Sequence, residues 1–167
     1  MGMQEQDFPA LYRSADDLAL KSQQHFFCAL RVQLVTLVFA AILSFVTIPH
    51  RSVAAAQLLA LLGTLICSIY MLIKRPDRCW YAARAVAESI KTITWRYVCR
   101  AEPFRGDDSS AHEYFRQTLK QIVEQNHEVC ALLTQHVDDR QFTPVMEQMR
   151  GLGLHDRRAT YADCRIK

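Results

Sequence analysis

Two uncharged stretches decide the fold. Residues 32–48 read VQLVTLVFAAILSFVTI, and residues 52–73 read SVAAAQLLALLGTLICSIYMLI. The first apolar run reaches back to Phe26 if Arg31 extends toward the headgroups, and with this extension it is long enough as an α-helix to cross the ~30 Å hydrocarbon core of a bilayer. The second stretch is of spanning length by itself. A chain of 167 residues is too short to bury two such helices inside a soluble shell. The stretches therefore predict two membrane-spanning helices.

The connection between these stretches predicts a hairpin. Only Pro49, His50 and Arg51 separate them, which is room for a tight turn and no more. Both termini are then expected on the same side of the membrane. Basic residues flank the two outer ends of the hairpin, whereas the turn has a single arginine; the flanking residues are Lys21, Arg31, Lys74, Arg75 and Arg78. The positive-inside bias predicts that both termini are cytoplasmic.

Composition excludes several other classes of protein. The net charge is only +3 and no separate basic arm occurs, so direct nucleic-acid binding is not expected. The acidic N-terminal 25 residues do not resemble a signal peptide. The cysteines form no CxxC pair and are expected to be free thiols in a reducing compartment. They are Cys28, Cys67, Cys79, Cys99, Cys130 and Cys164.

The second stretch has small residues at a helical spacing of four. Small side chains at this spacing form a stripe along which another helix can approach closely. We expect the stripe to contact the first helix of the same chain, and a contact between subunits or a pore lining remains the alternative. The stripe and its polar neighbour are Ala56, Gln57, Ala60, Thr64 and Ser68.

The segments outside the hairpin also read as helices. Ser14–Asp17 fits a capping box, which predicts a first helix from about residue 15 through the membrane, with the part before Phe26 as a stalk. Asp77 is expected to cap a helix that Pro103 ends. A second capping box at Ser110–Glu113 predicts a helix to about residue 136.

Two short helices are predicted near the C-terminus. One begins at Thr143–Pro144, with threonine as the cap, and ends at Gly151; the other runs from His155 to the end of the chain. No strand pattern occurs, so the fold class is all-α: a two-helix transmembrane hairpin with a cytoplasmic helical bundle. We expect a single membrane domain over residues 1–167, with stalk and first span at about 15–48, second span at 52–73 and cytoplasmic helices at 77–167.

The helix after the second span has charges at pairing distance. Arg84 and Glu88 are four residues apart, and Glu88 and Lys91 are three apart, so both pairs lie on one helix face. Trp80 lies four residues before Arg84, and Trp95 lies four after Lys91, which permits either ring to stack on a cation. We expect an amphipathic helix that packs on other helices outside the membrane.

Catalytic and metal-binding motifs are nearly absent. Glu124 and His127 have the ExxH spacing of di-metal bundles, but those sites need a second copy and further carboxylates. No GxSxG, Walker A or HExxH motif occurs. We therefore expect no enzymatic activity, no catalytic or metal-ligating residue and no cofactor.

The order of these parts is similar to that of the SLATT domain, a two-transmembrane family of bacterial conflict and antiphage systems. The resemblance depends mainly on WYAARAVAESIKTITWRYVCRAEPF at residues 80–104, directly after the second span. The segment LALKSQQHFF at 18–27 and YADCRI at 161–166 add to it. Family members usually continue beyond such a YADCRI motif into a further helix, so the resemblance raises the expectation of a short or truncated member.

The resemblance implies a non-enzymatic effector of the bacterial inner membrane. Such proteins are expected to oligomerise within the lipid bilayer, beside a nucleotide-signalling or sensor protein, and to depolarise the membrane through a pore. The alternative is a non-conducting anchor or scaffold for a cytoplasmic partner. On the matching positions, the resemblance implies a cytoplasmic gate or bundle built by Trp80, Tyr81, Arg84, Glu88, Lys91, Trp95, Arg96 and Glu102.

Overall fold

The computed structural model describes residues 3–45, 51–133 and 140–166, with side chains up to residue 162. In these residues the all-α prediction is confirmed, because they form helices and contain no strand. After a short 3-10 helix at Glu5–Asp7 come α1 (Ala10–Ser44), α2 (Arg51–Lys74), α3 (Pro76–Val98), α4 (Asp108–Gln125), α5 (His127–Cys130), α6 (Pro144–Gly151) and α7 (Leu154–Ile166).

The chain divides into two compact units. One unit, here called the hairpin unit, is Leu20–Trp80 and contains most of α1, all of α2 and the first turn of α3. The other, here called the terminal unit, combines Met1–Ala19 with Tyr81–Lys167. Each unit has its own packing, and the two are described separately below.

In the hairpin unit, α1 and α2 pack as antiparallel helices. Gln33 contacts Ser68 and Thr36 contacts Thr64, so α2 residue numbers fall as those of α1 rise. Small residues bring the backbones close, since Ala40 and Ala60 are both buried. In each helix only 6% of the most apolar window is buried. The apolar windows are therefore not covered by the other described residues, as they would be in a buried hairpin of a soluble domain.

The terminal unit has a conventional hydrophobic core. The beginning of α1 contributes Leu11, α3 contributes Ile90, α4 contributes Phe115 and α6 contributes Met146, all of them at most 1% exposed. These residues come from both ends of the chain, up to 135 positions apart in sequence (Leu11 to Met146). Burial of apolar side chains from four helices is what holds the two chain ends together.

Two predicted helix starts are wrong. The helix α1 begins at Ala10, after Pro9, so Ser14 lies inside the helix and does not cap it. The helix α4 begins at Asp108, and its cap is Asp107, whose side chain accepts a hydrogen bond from the backbone N–H of Ser110. The Ser110 hydrogen bonds hold the pKa of Asp107 below its usual value.

The bounds of α3 are close to the prediction, whereas the end of α4 is not. The helix α3 begins at Pro76, one residue before the expected cap Asp77, and it follows Arg75 in the left-handed region at φ 43°. It ends at Val98, before Pro103. The helix α4 ends at Gln125 and not near residue 136. Of the predicted turn, residues 49 and 50 lie outside the described part, and Arg51 opens α2.

The prediction for α6 is confirmed. Thr143 has extended backbone angles, and its hydroxyl accepts a hydrogen bond from the N–H of Met146, as a helix cap should. Pro144 is the first helical residue, where its missing N–H costs nothing. The same hydroxyl donates to the Asp7 carbonyl at 2.7 Å, which ties α6 to the N-terminal segment.

Candidate functional site: the membrane hairpin and the α3 motif

The polar groups of the two spans meet in the seam between α1 and α2. The hydroxyl oxygens of Thr36 and Thr64 are 3.0 Å apart, and the Gln33 amide donates to the Ser68 hydroxyl at 3.1 Å. The hydroxyls of Thr64 and Ser68 also donate to carbonyls four residues back in their own helix. Such bonds matter in lipid, where no water is present to satisfy a polar group.

The predicted small-residue stripe lies along this seam. Ala60 is 9% exposed, and the other four members, Ala56, Gln57, Thr64 and Ser68, are half-buried. A Cβ added at Gly63 would come 3.9 Å from the Thr36 methyl group, which is ordinary contact. The interhelical hydrogen bonds of Thr64 and Ser68 are therefore made to the first helix of the same chain.

The outer faces of both helices are apolar and uncovered. Val35, Leu59, Leu72 and Ile73 are each about two thirds exposed or more. Large apolar side chains on every outward face are typical of helices in lipid and would aggregate in water. Near one end of this unit, Phe26 and Phe27 lie 6.2 and 5.9 Å from the Trp80 ring. Aromatic clusters of this kind favour the boundary between lipid and water.

The charged residues of the α3 motif make both local and tertiary contacts. Arg84 pairs with Glu88 at 2.7 Å, as the spacing predicted, and with Asp16 of α1 at 2.8 Å. The Asp16 carboxylate is the more buried partner, so this pair fixes the register of α3 against the start of α1 within the terminal unit. No local pattern predicts the Arg84–Asp16 pair, because the two residues are 68 positions apart.

The second half of the motif lies against the N-terminal and C-terminal segments. The Lys91 ammonium lies 6.0 Å from the centroid of the Phe8 ring, whereas its spacing had suggested Trp95. Trp95 instead makes edge contacts with Phe8 and with Tyr161 of α7. Two guanidinium nitrogens of Arg96 donate to the backbone carbonyl of Glu102.

The remaining motif residues are placed as follows. Tyr81 is 65% exposed and is the first residue of the second segment of the terminal unit, Tyr81–Lys167. Glu102 lies in the exposed connection between α3 and α4 and contributes its backbone carbonyl to Arg96. The motif therefore combines residues that hold the terminal unit together with residues that face outward.

Sequence reasoning missed the most heavily bonded side chain of the terminal unit. Arg150, in the last turn of α6, is 2% exposed. Its guanidinium donates to the carbonyls of Tyr97 and Phe104 at 2.6 and 3.2 Å and to the Asp108 carboxylate at 2.9 Å. It also lies 4.6 Å from the centroid of the Tyr97 ring. A cation beside the last turn of α3 interacts favourably with the helix dipole, and it adds a second donor to the Tyr97 carbonyl, which also accepts the N–H of Arg100.

An acidic group completes this cluster. The Tyr97 hydroxyl donates to a Glu147 oxygen at 3.1 Å, and the same oxygen lies 2.9 Å from the His112 ring nitrogen. Burial, and then the nearby Glu147 charge, raise the pKa of Tyr97 above its ordinary value. The hydrogen bond from Arg150 lowers the pKa of Asp108. These residues join α3, α4 and α6, and their arrangement is that of a structural network.

The candidate metal and thiol residues are not assembled into a site. Glu124 and His127 are both exposed, and the described residues contain no group of three metal-ligating side chains. Cys28, Cys67, Cys79, Cys99 and Cys130 are free thiols, and Cys164 lies outside the residues whose side chains are described. Burial raises the pKa of the Cys99 and Cys130 thiols, which keeps them protonated and poorly nucleophilic near neutral pH.

These features define the class of protein. Two long helices with uncovered apolar faces, joined by a polar seam, are the spans of a two-helix integral membrane protein.

The family follows from comparison with known proteins. The model of the family SLATT_3, described as "SMODS and SLOG-associating 2TM effector domain 3", matches residues 9–158, and the chain belongs to this family. The resemblance to the SLATT domain is thereby confirmed. No curated protein and no solved structure matches the chain. The family description is that of a transmembrane effector and does not name an enzymatic activity.

Proposed function

We propose that this chain is a non-enzymatic effector of a bacterial conflict system, which oligomerises in the inner membrane into a pore and depolarises the cell. The family is one of two-transmembrane effectors. The observation that carries the proposal is the seam, where the polar side chains of two otherwise apolar spans are collected on one face of each helix.

A single hairpin encloses no channel, so conduction requires several subunits. A conducting path through a bilayer also needs polar groups along its wall. The hydroxyl and amide groups of Gln33, Thr36, Thr64 and Ser68 are the polar groups available in the paired region. We propose that hairpins re-associate so that these groups face a common axis, with the seam contact as the resting arrangement.

The terminal unit supports the proposed topology. Its core combines the N-terminal segment with α3, α4 and α6, which supports the proposal that both chain ends lie on the same side of the membrane. Lys74, Arg75 and Arg78 follow the second span, whereas Arg51 alone lies at the turn, which favours the cytoplasm for that side. There the α3 motif is available to gate the pore and to receive a signal from a partner protein.

The test uses one matched pair of variants. Expression of the chain in bacteria carrying a membrane-potential dye is expected to depolarise them. Ala60→Phe places a large ring in the seam and is expected to abolish depolarisation. Leu59→Phe makes a smaller change on the neighbouring, 68% exposed face and is expected to retain it. Purified oligomers in liposomes that release no entrapped dye would contradict the pore.

A scaffold without conduction is the second candidate. The terminal unit has a core of its own and exposes much of α3, which is what a docking domain on a membrane anchor requires. Recovery of a stoichiometric protein partner from cells, together with silent liposomes, would favour this function over the pore.

A further inference from the structure

A deep groove in the terminal unit has an unusual concentration of positive charge. It has a volume of about 860 Å³ and lies between the second half of α3, the α3–α4 connection and the first turns of α7. Only two acidic residues, Glu88 and Glu102, line it. The basic residues along it are Lys91, Arg96, Arg100, Arg105, Arg157 and Arg158.

Most of these cations have no carboxylate partner among the described residues. Arg100 pairs with Asp108 at 3.3 Å. Arg96 and Arg157 donate only to backbone carbonyls, those of Glu102 and Cys99. In the described residues, Arg105 and Arg158 take part in no ion pair. Of the two acidic residues that line the groove, Glu88 is already paired with Arg84.

The groove also contains an unsatisfied donor. The Arg157 Nε is buried and has no hydrogen-bond partner among the described residues, although another nitrogen of the same guanidinium donates to the Cys99 carbonyl at 3.2 Å. A buried donor without a partner costs free energy, and an acceptor bound in the groove would remove that cost. Trp95 and Tyr161, with ring centroids 5.4 Å apart, form an apolar wall beside it.

We propose that this groove binds a phosphate-bearing anion. Several arginines around one concavity repel one another, and their planar forks match phosphate oxygens in charge and geometry. A groove of this charge raises the local concentration of anions. The same chemistry is offered by a free oligophosphate and by an acidic phospholipid headgroup, and the experiment below separates these sources. The inference does not depend on pore formation.

The experiment measures binding to the full-length chain in non-ionic detergent. In a Trp80→Phe background, Trp95 is the remaining tryptophan and reports on the groove wall. Titration with inorganic tripolyphosphate, followed by calorimetry and by Trp95 fluorescence, is expected to show saturable binding that weakens with salt. In a second arm, the chain is placed in phosphatidylcholine nanodiscs with or without phosphatidylglycerol. A Trp95 change that requires phosphatidylglycerol, with no response to tripolyphosphate, assigns the lipid headgroup as the ligand.

Charge reversal locates the site. Arg158→Glu and Arg105→Glu change exposed side chains and are each expected to weaken binding by roughly tenfold, the loss of about one charge-assisted hydrogen bond. Lys120→Glu reverses an exposed charge of α4 outside the groove and is expected to leave the affinity unchanged. The proposal is overturned if neither arm shows binding, if the Trp95 signal stays constant while heat is released, or if Lys120→Glu weakens binding as much as Arg158→Glu.

Discussion

At the scale of single residues, Arg150 links three helices of the terminal unit, α3, α4 and α6, whereas a residue of the spans links only the two helices of the hairpin. Its guanidinium satisfies two backbone carbonyls and one carboxylate, and methionine keeps the length of the side chain but none of its donors. Arg150→Met is expected to lower the free energy of unfolding by about 2–4 kcal/mol, because it removes three hydrogen bonds of a buried guanidinium and the described donor to the Phe104 carbonyl. Urea unfolding of the detergent-solubilised chain in the Trp80→Phe background, followed by Trp95 fluorescence, measures the loss.

The matched control is Arg116→Met. Arg116 is exposed and its guanidinium lies 5.7 Å from the centroid of the Phe142 ring, so it is a surface cation on the same unit. Its replacement is expected to cost less than about 1 kcal/mol. Equal losses for the two variants would mean that the buried network of Arg150 contributes no special stability.

Ionisation of Tyr97 is expected to lower the stability of the terminal unit at alkaline pH. The pKa of Tyr97 in the folded state is raised above the ordinary value of 10.0. Above pH 10 the tyrosine therefore ionises first in the unfolded chain. The contribution of Tyr97 to the free energy of unfolding is complete below pH 10 and is lost as the pH rises. Tyr97→Phe removes the hydrogen bond to Glu147, at a cost of about 1 kcal/mol near neutral pH. It is also expected to flatten the fall in stability above pH 10.

Part of the alkaline fall should survive in that variant. Burial also raises the pKa of Tyr12, to about 12, and Tyr12 lies in the same unit. Tyr114→Phe removes a hydroxyl from a 47% exposed ring of the same unit and serves as the comparison variant. The test is to measure the free energy of unfolding from pH 7 to 11 for each variant. If the free energy falls equally steeply above pH 10 in Tyr97→Phe and in the parent chain, Tyr97 is not the source of the fall.

At the scale of helices, the hydroxyl pair Thr36–Thr64 is the clearest contact between the two spans. Valine matches threonine in shape, so Thr36→Val and Thr64→Val delete the interhelical bond while keeping the packing. A double-mutant cycle, measured by unfolding in mixed detergent micelles, is expected to give a coupling of about 0.6 kcal/mol. Thr36→Val combined with Thr92→Val, an exposed residue of the terminal unit, should be additive. Zero coupling for the seam pair would mean that the spans do not pack through this bond.

Local patterns predicted local structure well. An uncharged stretch of spanning length is decisive because burying charge in lipid is so costly, and the Arg84–Glu88 pair and the Thr143 cap follow from spacing along one helix. Contacts set by tertiary packing had no such signal. The sequence around Arg150 reads as an ordinary helix end, and nothing local shows that its guanidinium reaches Tyr97, 53 positions away. Asp107 displaced the predicted Ser110 cap because both residues have capping chemistry, and spacing alone could not choose between them.

At the scale of the whole molecule, the terminal unit constrains how the chain crosses the membrane. Phe8 and Leu11, before the first span, share one core with Ile90 and Phe115, after the second. Such a core forms only if the membrane is crossed an even number of times between them, which the two described spans satisfy. The core does not select a side of the membrane. That choice is expected to follow the basic residues, which surround the outer ends of the spans.

Fusion reporters test this topology directly. Green fluorescent protein fused to either end of the chain is expected to fluoresce, and alkaline phosphatase at the same ends is expected to be inactive, because the proposed topology has both ends in the cytoplasm. Changing Lys74, Arg75 and Arg78 to Gln while inserting three lysines before Arg51 reverses the charge bias. Orientation is then expected to become mixed, with phosphatase activity appearing at both ends together, since a shared core requires them to move as a pair. Phosphatase activity at one end alone would contradict the two-span hairpin, and an unchanged orientation would show that these cations do not set it.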